Sequence, residues 1–318
     1  MTQVTSNGLA LSRAYYEAYG KKMLEREFRE ILPFLAAGLI GAGSECLGYD
    51  DGVSRDHDYE PGFCIFLPGE DLVDRRTAFR LERAYAKLPR EFGGYSRSLM
   101  NPVGGARHGV IRLADFLMEK TGTSDGQLSV NQWLTLPGQS LLELVRGEIY
   151  FDHYGRLKRL RQELAFYPED IRKKKLAGHL LLMAQAGQYN YRRCLAHGEQ
   201  AAAQMAVFTF AESAMEVVFL LNRAYIPYYK WSFRALRSLS IQSYQAELLE
   251  FLITSDNEPE MAEEKGNVIE GIAADLIEEL MKQDLTEAVC GDLEKHAYSV
   301  NDRIEDAGIR NMHILAGV

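Results

Sequence analysis

Two aspartates one residue apart, Asp56 and Asp58, follow a Gly43-Ser44 pair at a spacing that suits a site for metal and phosphate. On a strand, residues i and i+2 share a face, so a strand through this segment presents both carboxylates side by side at one sheet edge. Adjacent anionic oxygens are costly without a cation between them, and the usual occupant is Mg²⁺ carrying a nucleotide phosphate. The Gly-Ser turn adds backbone N–H groups and a hydroxyl that approach phosphate oxygens closely. An Asp pair alone is weak, since such pairs also sit on solvated turns. Here apolar runs bound both elements, Phe34 to Gly41 before and Phe63 to Leu67 after.

The order helix, strand, Gly-Ser, loop, D-x-D, strand resembles the nucleotidyltransferase superfamily, the fold of DNA polymerase beta and of antibiotic nucleotidyltransferases. The block from Gly41 to Asp58, GAGSECLGYDDGVSRDHD, is similar to an uncharacterised bacterial family of unknown function within it, with the pattern G-S-E-x-x-G-x-D-D-x-x-S-x-D-H-D. The resemblance implies Mg²⁺-dependent transfer of NMP from an NTP, ATP foremost, to a hydroxyl of a small molecule, a protein or a tRNA end. Asp56 and Asp58 would share two Mg²⁺ ions, while Gly43 and Ser44 would hold the β- and γ-phosphates. Arg55 and His57 alternate with the aspartates and point away, the first toward Asp50 or Asp51, the second to stiffen the strand. A third carboxylate belongs on a later strand. The segment Gly147 to Asp152, GEIYFD, is similar to the G-x-x-L-Y-D segment of antibiotic-type members, offering Glu148 or Asp152. By alternation Glu148, Tyr150 and Asp152 share a face. Asp152 equally suits hydrogen bonding in the turn before Gly155. Near Gly109 to Leu113, Arg112 stands where an acid is expected.

Further along, Leu220 to Trp231 is dense in aromatic and polar groups around Pro227. Lys230 resembles the lysine that helical domains of this superfamily extend to the triphosphate. Tyr228 or Tyr225 suits stacking on the base, and Asn222 and Arg223 are further nucleotide-binding candidates. An aromatic core at a helix junction explains the tyrosines equally well. Arg192 and His197 form an R-x-x-x-x-H pattern similar to HEPN-type ribonucleases. The functional alternatives are therefore an inactive nucleotide-binding regulator, lacking the third acid, and a ribonuclease.

The elements that must position these residues follow from periodicity and punctuation. Helices are predicted over Ser12 to Leu32, from an Asp71 N-cap to Leu88, over Phe116 to Lys120 and over Gly138 to Val145. Strands are predicted over Phe34 to Gly41, Phe63 to Leu67, Gly109 to Leu113 and Gly147 to Asp152. Beyond Tyr154 nearly every segment has helical period. The expected fold is α+β: a nucleotidyltransferase-like mixed sheet flanked by helices over residues 1–154, then an all-helical domain over 155–318 that closes the nucleotide cleft. The net charge of −9 argues against a general nucleic-acid surface, which needs clustered Lys and Arg. Four scattered cysteines without C-x-x-C spacing indicate neither zinc nor a disulfide framework. The polar start and the shortness of the apolar stretch Phe34 to Gly43 lead us to expect a cytoplasmic protein with no membrane partner.

Overall fold

A computed structural model of the chain describes residues 7–51, 60–97 and 108–318. These fall into two units, Met1–Leu128 with Ser140–Ala165, and Ser129–Gln139 with Phe166–Val318. In the first, Asn7 accepts from the Ala10 amide and starts α1 (Gly8–Tyr15), which runs through a π-helical turn at Tyr16–Gly20 into α2 (Lys21–Glu27). Pro33 lies in a 3₁₀ turn, Leu32–Phe34, so β1 (Ala36–Leu39) starts later than the apolar run alone suggests. There follow α3 (Ser44–Leu47), β2 (Cys64–Leu67), α4 (Arg75–Ala86), the small hairpin β3 (Glu91–Phe92) and β4 (Tyr95–Ser96), then β5 (Gly109–Arg112) and α5 (Leu113–Thr121).

A short helix α6 (Val130–Thr135) precedes α7 (Gly138–Val145), β6 (Glu148–Asp152) and α8 (Arg156–Glu163). The sheet order is β5-β2-β1-β6, with β1 antiparallel to both neighbours and β2 parallel to β5. Every residue of β1 and β2 is buried. One face carries Ala37, Ile65 and Leu67 against Tyr15, Tyr16 and Leu24 of the N-terminal helices and Leu81 and Tyr85 of α4. On the other, Phe66 packs against Phe116 of α5, ring centres 5.2 Å apart. Each large side chain so buried contributes about 1.5–3 kcal/mol. This packing fixes the strand ends that carry the polar residues.

Two local expectations shift. The N-cap of α4 is Asp74, which accepts from the Thr77 amide at 2.7 Å, rather than Asp71. Helix α6 was not foreseen, although Ser129 and Gln132 form a reciprocal capping box. The boundary also moves: α8 packs on β6, so the first unit runs to Ala165 and not to 154.

The second unit comprises α6 with α9 (Glu169–Met183), a π-helical continuation at Ala184–Tyr191, α10 (Arg192–Ala196), α11 (Gln200–Leu221), α12 (Tyr229–Leu236), α13 (Gln245–Thr254), α14 (Pro259–Lys282), α15 (Leu293–Asp302) and α16 (Ala307–Arg310). The centre is α11, whose Val207, Phe210, Ala214 and Val217 are fully buried. This helix is long and apolar enough to cross a bilayer by length and composition alone, but most of its apolar window is buried inside the structure. The fold is α+β, a mixed sheet with helices followed by a helical region.

Candidate active site

Because β1 is antiparallel to both neighbours, its last residues lie beside the first residues of β2 and β6: Gly38 pairs with Cys64, and Leu39 with Glu148. The chain leaves β1 through Gly41 to Gly43 and opens α3 at Ser44, which is half-buried. Gly43 has φ +127°, and a Cβ there would stand 2.6 Å from the Glu45 carboxylate. Only glycine makes this turn without strain. Gly147 has φ +81°, and a Cβ would stand 2.1 Å from the Leu39 carbonyl oxygen, so glycine lets Glu148 come up against the end of β1.

Helix α1 supplies the other partners. Arg13 donates to Glu148 Oε1 from Nε at 2.8 Å and from Nη2 at 2.5 Å. Both bonds use one oxygen, and Oε2 has no partner among the described residues. The carboxylate raises the Arg13 pKa, so the guanidinium is a fixed positive charge. It lies 4.8 Å from the centre of the Tyr150 ring. Ser12 Oγ donates to the Gly62 carbonyl and accepts from the Tyr150 hydroxyl. Burial raises that phenol's pKa, keeping it a donor. Asp50 Oδ2 accepts from the Gly8 amide at 2.7 Å, tying the loop after α3 to α1. The Cys64 thiol is pushed up to about 12 by burial and is chemically quiet.

Asp56 and Asp58, with Arg55 and His57, lie outside the described residues. The chain that follows them enters β2 at Cys64, at this same sheet end. Gly43, Ser44 and Glu148 therefore come together. Asp152 does not join them, because it pairs with Ala36 at the opposite end of β6, about 13 Å along the strand. Its Oδ1 accepts from the Gly155 amide and its Oδ2 from the Lys158 amide, each at 2.8 Å. It lines a separate cleft of about 310 Å³ with Asp71, Tyr154 and Arg156. Arg112 donates to the Pro68 carbonyl at 2.7 Å.

The candidates in the second unit have local partners. Asn222 donates to the Val218 and Ile241 carbonyls and accepts from the Ile241 amide, which makes it a staple of the chain. Tyr225 is buried against Phe166 and Tyr167. Arg223 pairs with Glu169 at 2.7 Å. Tyr228 is exposed beside Tyr229, ring centres 4.3 Å apart, and the exposed Lys230 lies 4.2 Å from the Trp231 ring centre. His197 is exposed at the end of α10. No group of three or more potential metal ligands occurs among the described residues. Sequence reasoning missed Arg13 and Ser12, which carry no local motif.

A protein-family model described as "Domain of unknown function (DUF4037)" matches residues 133–232, a segment that does not include the Gly43 to Asp58 motif. No curated protein matches the chain. Among solved structures, the chain is similar to a nucleotidyltransferase-like protein from Exiguobacterium sibiricum 255-15. The identity is 12%, the TM-score is 0.38, and 93% of this chain and 81% of that chain are covered.

Proposed function

We propose that the chain transfers NMP from an NTP, ATP foremost, to a hydroxyl of an acceptor, with Mg²⁺ as cofactor. The observation that carries this reading is the meeting of the Gly43-Ser44 turn, the start of β2 and Glu148 at one sheet end. The donor set fits the ion: Mg²⁺ takes carboxylate oxygens, and Glu148 keeps one oxygen without a partner. In this reading Asp56, Asp58 and Glu148 hold the metal. The Ser44 hydroxyl and the amides after Gly43 bind the β- and γ-phosphates, and Arg13 orients Glu148. When bound, Mg²⁺ would lower the pKa of the acceptor hydroxyl and screen the triphosphate.

The test is pyrophosphate release from each NTP with Mg²⁺ and a panel of hydroxyl acceptors. Asp56→Ala, Asp58→Ala and Glu148→Ala are each expected to lower the rate by at least about 10²-fold. Release that is indifferent to all three variants rejects the reading. A second reading, a regulator that binds NTP without turnover, is favoured by one observation: Arg13 already occupies Glu148 Oε1. Calorimetric NTP binding that needs Asp58, with no pyrophosphate under any acceptor condition, selects it.

A further inference from the structure

The helical unit holds a cavity of about 510 Å³, a volume that suits a small organic ligand. Its walls are mainly apolar and come from α9, α11, α12 and neighbouring segments. Phe208, Tyr229 and Phe233 contribute aromatic rings, and the first two are exposed enough (45% and 74%) to stand at its rim. Set in this wall are Glu212 and Glu216 of α11 and His179 of α9.

Glu216 is the unusual member. It is half-buried, and no hydrogen bond or ion pair reaches its carboxylate among the described residues. Lys175 attracts it through its charge but gives it no hydrogen bond, because the ammonium donates to the Leu134 carbonyl at 2.8 Å and to the Gly317 carbonyl at 2.9 Å. His179 brings no competing charge, because burial pushes its pKa down to about 3, and its Nδ1 also lacks a partner. A carboxylate in an apolar wall without a hydrogen bond gains from a cation that arrives with the ligand. Aromatic rings at the rim favour the same charge.

We propose that this cavity binds a small molecule with an apolar body and one protonated amine, the ammonium resting on Glu216. The site lies wholly within the helical unit and does not depend on the nucleotidyl-transfer reading.

Three probes of one skeleton test it on the full chain by calorimetry: 4-phenylbutylamine, 4-phenylbutan-1-ol and 4-phenylbutyrate. The amine is expected to bind at least about tenfold more tightly than the alcohol, and the carboxylate more weakly than either. Glu216→Gln keeps the shape, and should erase the amine's advantage while leaving the alcohol unchanged. Thr209→Trp, at an exposed lining position, should weaken all three.

Protonation gives a second readout. Burial pushes the Glu216 pKa up to about 7, so an arriving ammonium must expel part of a proton at neutral pH. Binding heat should then vary with the ionisation heat of the buffer, and cease to vary in Glu216→Gln. The other titratable groups facing Glu216 are Glu212 on its own helix, Lys175 and His179 on α9, Tyr167, and Tyr229 on α12. Equal affinity for the three probes overturns the proposal. So does an amine preference that survives Glu216→Gln, or no binding of any probe at millimolar concentration.

Discussion

The two units differ in how they hold their buried and half-buried charges. In the sheet unit the acids around the sheet have donors: Glu148 has Arg13, Asp152 has two backbone amides, and Asp50, in the loop after α3, has the Gly8 amide. In the helical unit the buried cations are satisfied, and one half-buried acid has no hydrogen bond. Lys174, Lys175 and Lys265 are buried and donate to carbonyl and amide oxygens, while Glu216 has no such partner. The lysines fasten loops to helices, and their charge does structural work. The Glu216 carboxylate, by contrast, has no hydrogen bond and stands in the wall of a cavity.

The strongest way to break this contrast is Lys265→Met. Lys265 Nζ gives hydrogen bonds to Gln204 Oε1, the Ser255 and Asp256 carbonyls and Asn257 Oδ1, joining α14 to α11 and to the loop after α13. Methionine preserves the bulk but strands these acceptors, so denaturant unfolding should show a loss of about 2–4 kcal/mol. A loss under about 1 kcal/mol would mean that water replaces the ammonium and that these lysines are not structural.

A smaller effect sharpens the comparison within the sheet unit. Asp152→Ala removes two acceptors from the turn into α8 and should cost about 1–3 kcal/mol in the same assay. Pyrophosphate release should persist in folded protein, whereas Glu148→Ala loses it. If instead Asp152→Ala abolishes release at unchanged stability, the roles assigned to the two ends of β6 are reversed.

Three strands of the main sheet were legible as short apolar runs bounded by Gly or Pro, β6 from its alternation after Gly147, and α7 because Leu141, Leu142 and Leu144 repeat at helical spacing after Gly138; the small hairpin of β3 and β4 was not foreseen. What alternation did not reveal is which end of the sheet Glu148 and Asp152 occupy. That depends on β6 pairing antiparallel with β1, a contact between segments more than a hundred residues apart in sequence. The Arg13–Glu148 pair is hidden for the same reason, its members standing 135 positions apart. Asp71 and Asp74 both suit an N-cap, and only the observed Thr77 bond separates them. Glu216 is visible in the sequence as an acid amid Ala211 to Leu221, but its lack of a partner is a property of packing.

The smallest expected effect addresses that lack directly. Between pH 4.5 and 7 the folded chain holds a proton on Glu216 that the unfolded chain has released. Stability from this group is therefore full below pH 4.5 and is lost as pH rises through 7. His179 works in the other direction: its folded pKa is about 3 against 6.5 unfolded, so its contribution is full above pH 6.5 and is lost on acidification. The two slopes oppose each other between pH 4.5 and 6.5. Glu216→Gln deletes one of them. The variant should match the parent below pH 4.5, then gain on it to a plateau above pH 7, where the difference is on the order of 1–3 kcal/mol. Parallel stability curves across this range would show that the carboxylate finds a partner in solution, and the contrast between the two units would fail at the residue that defines it.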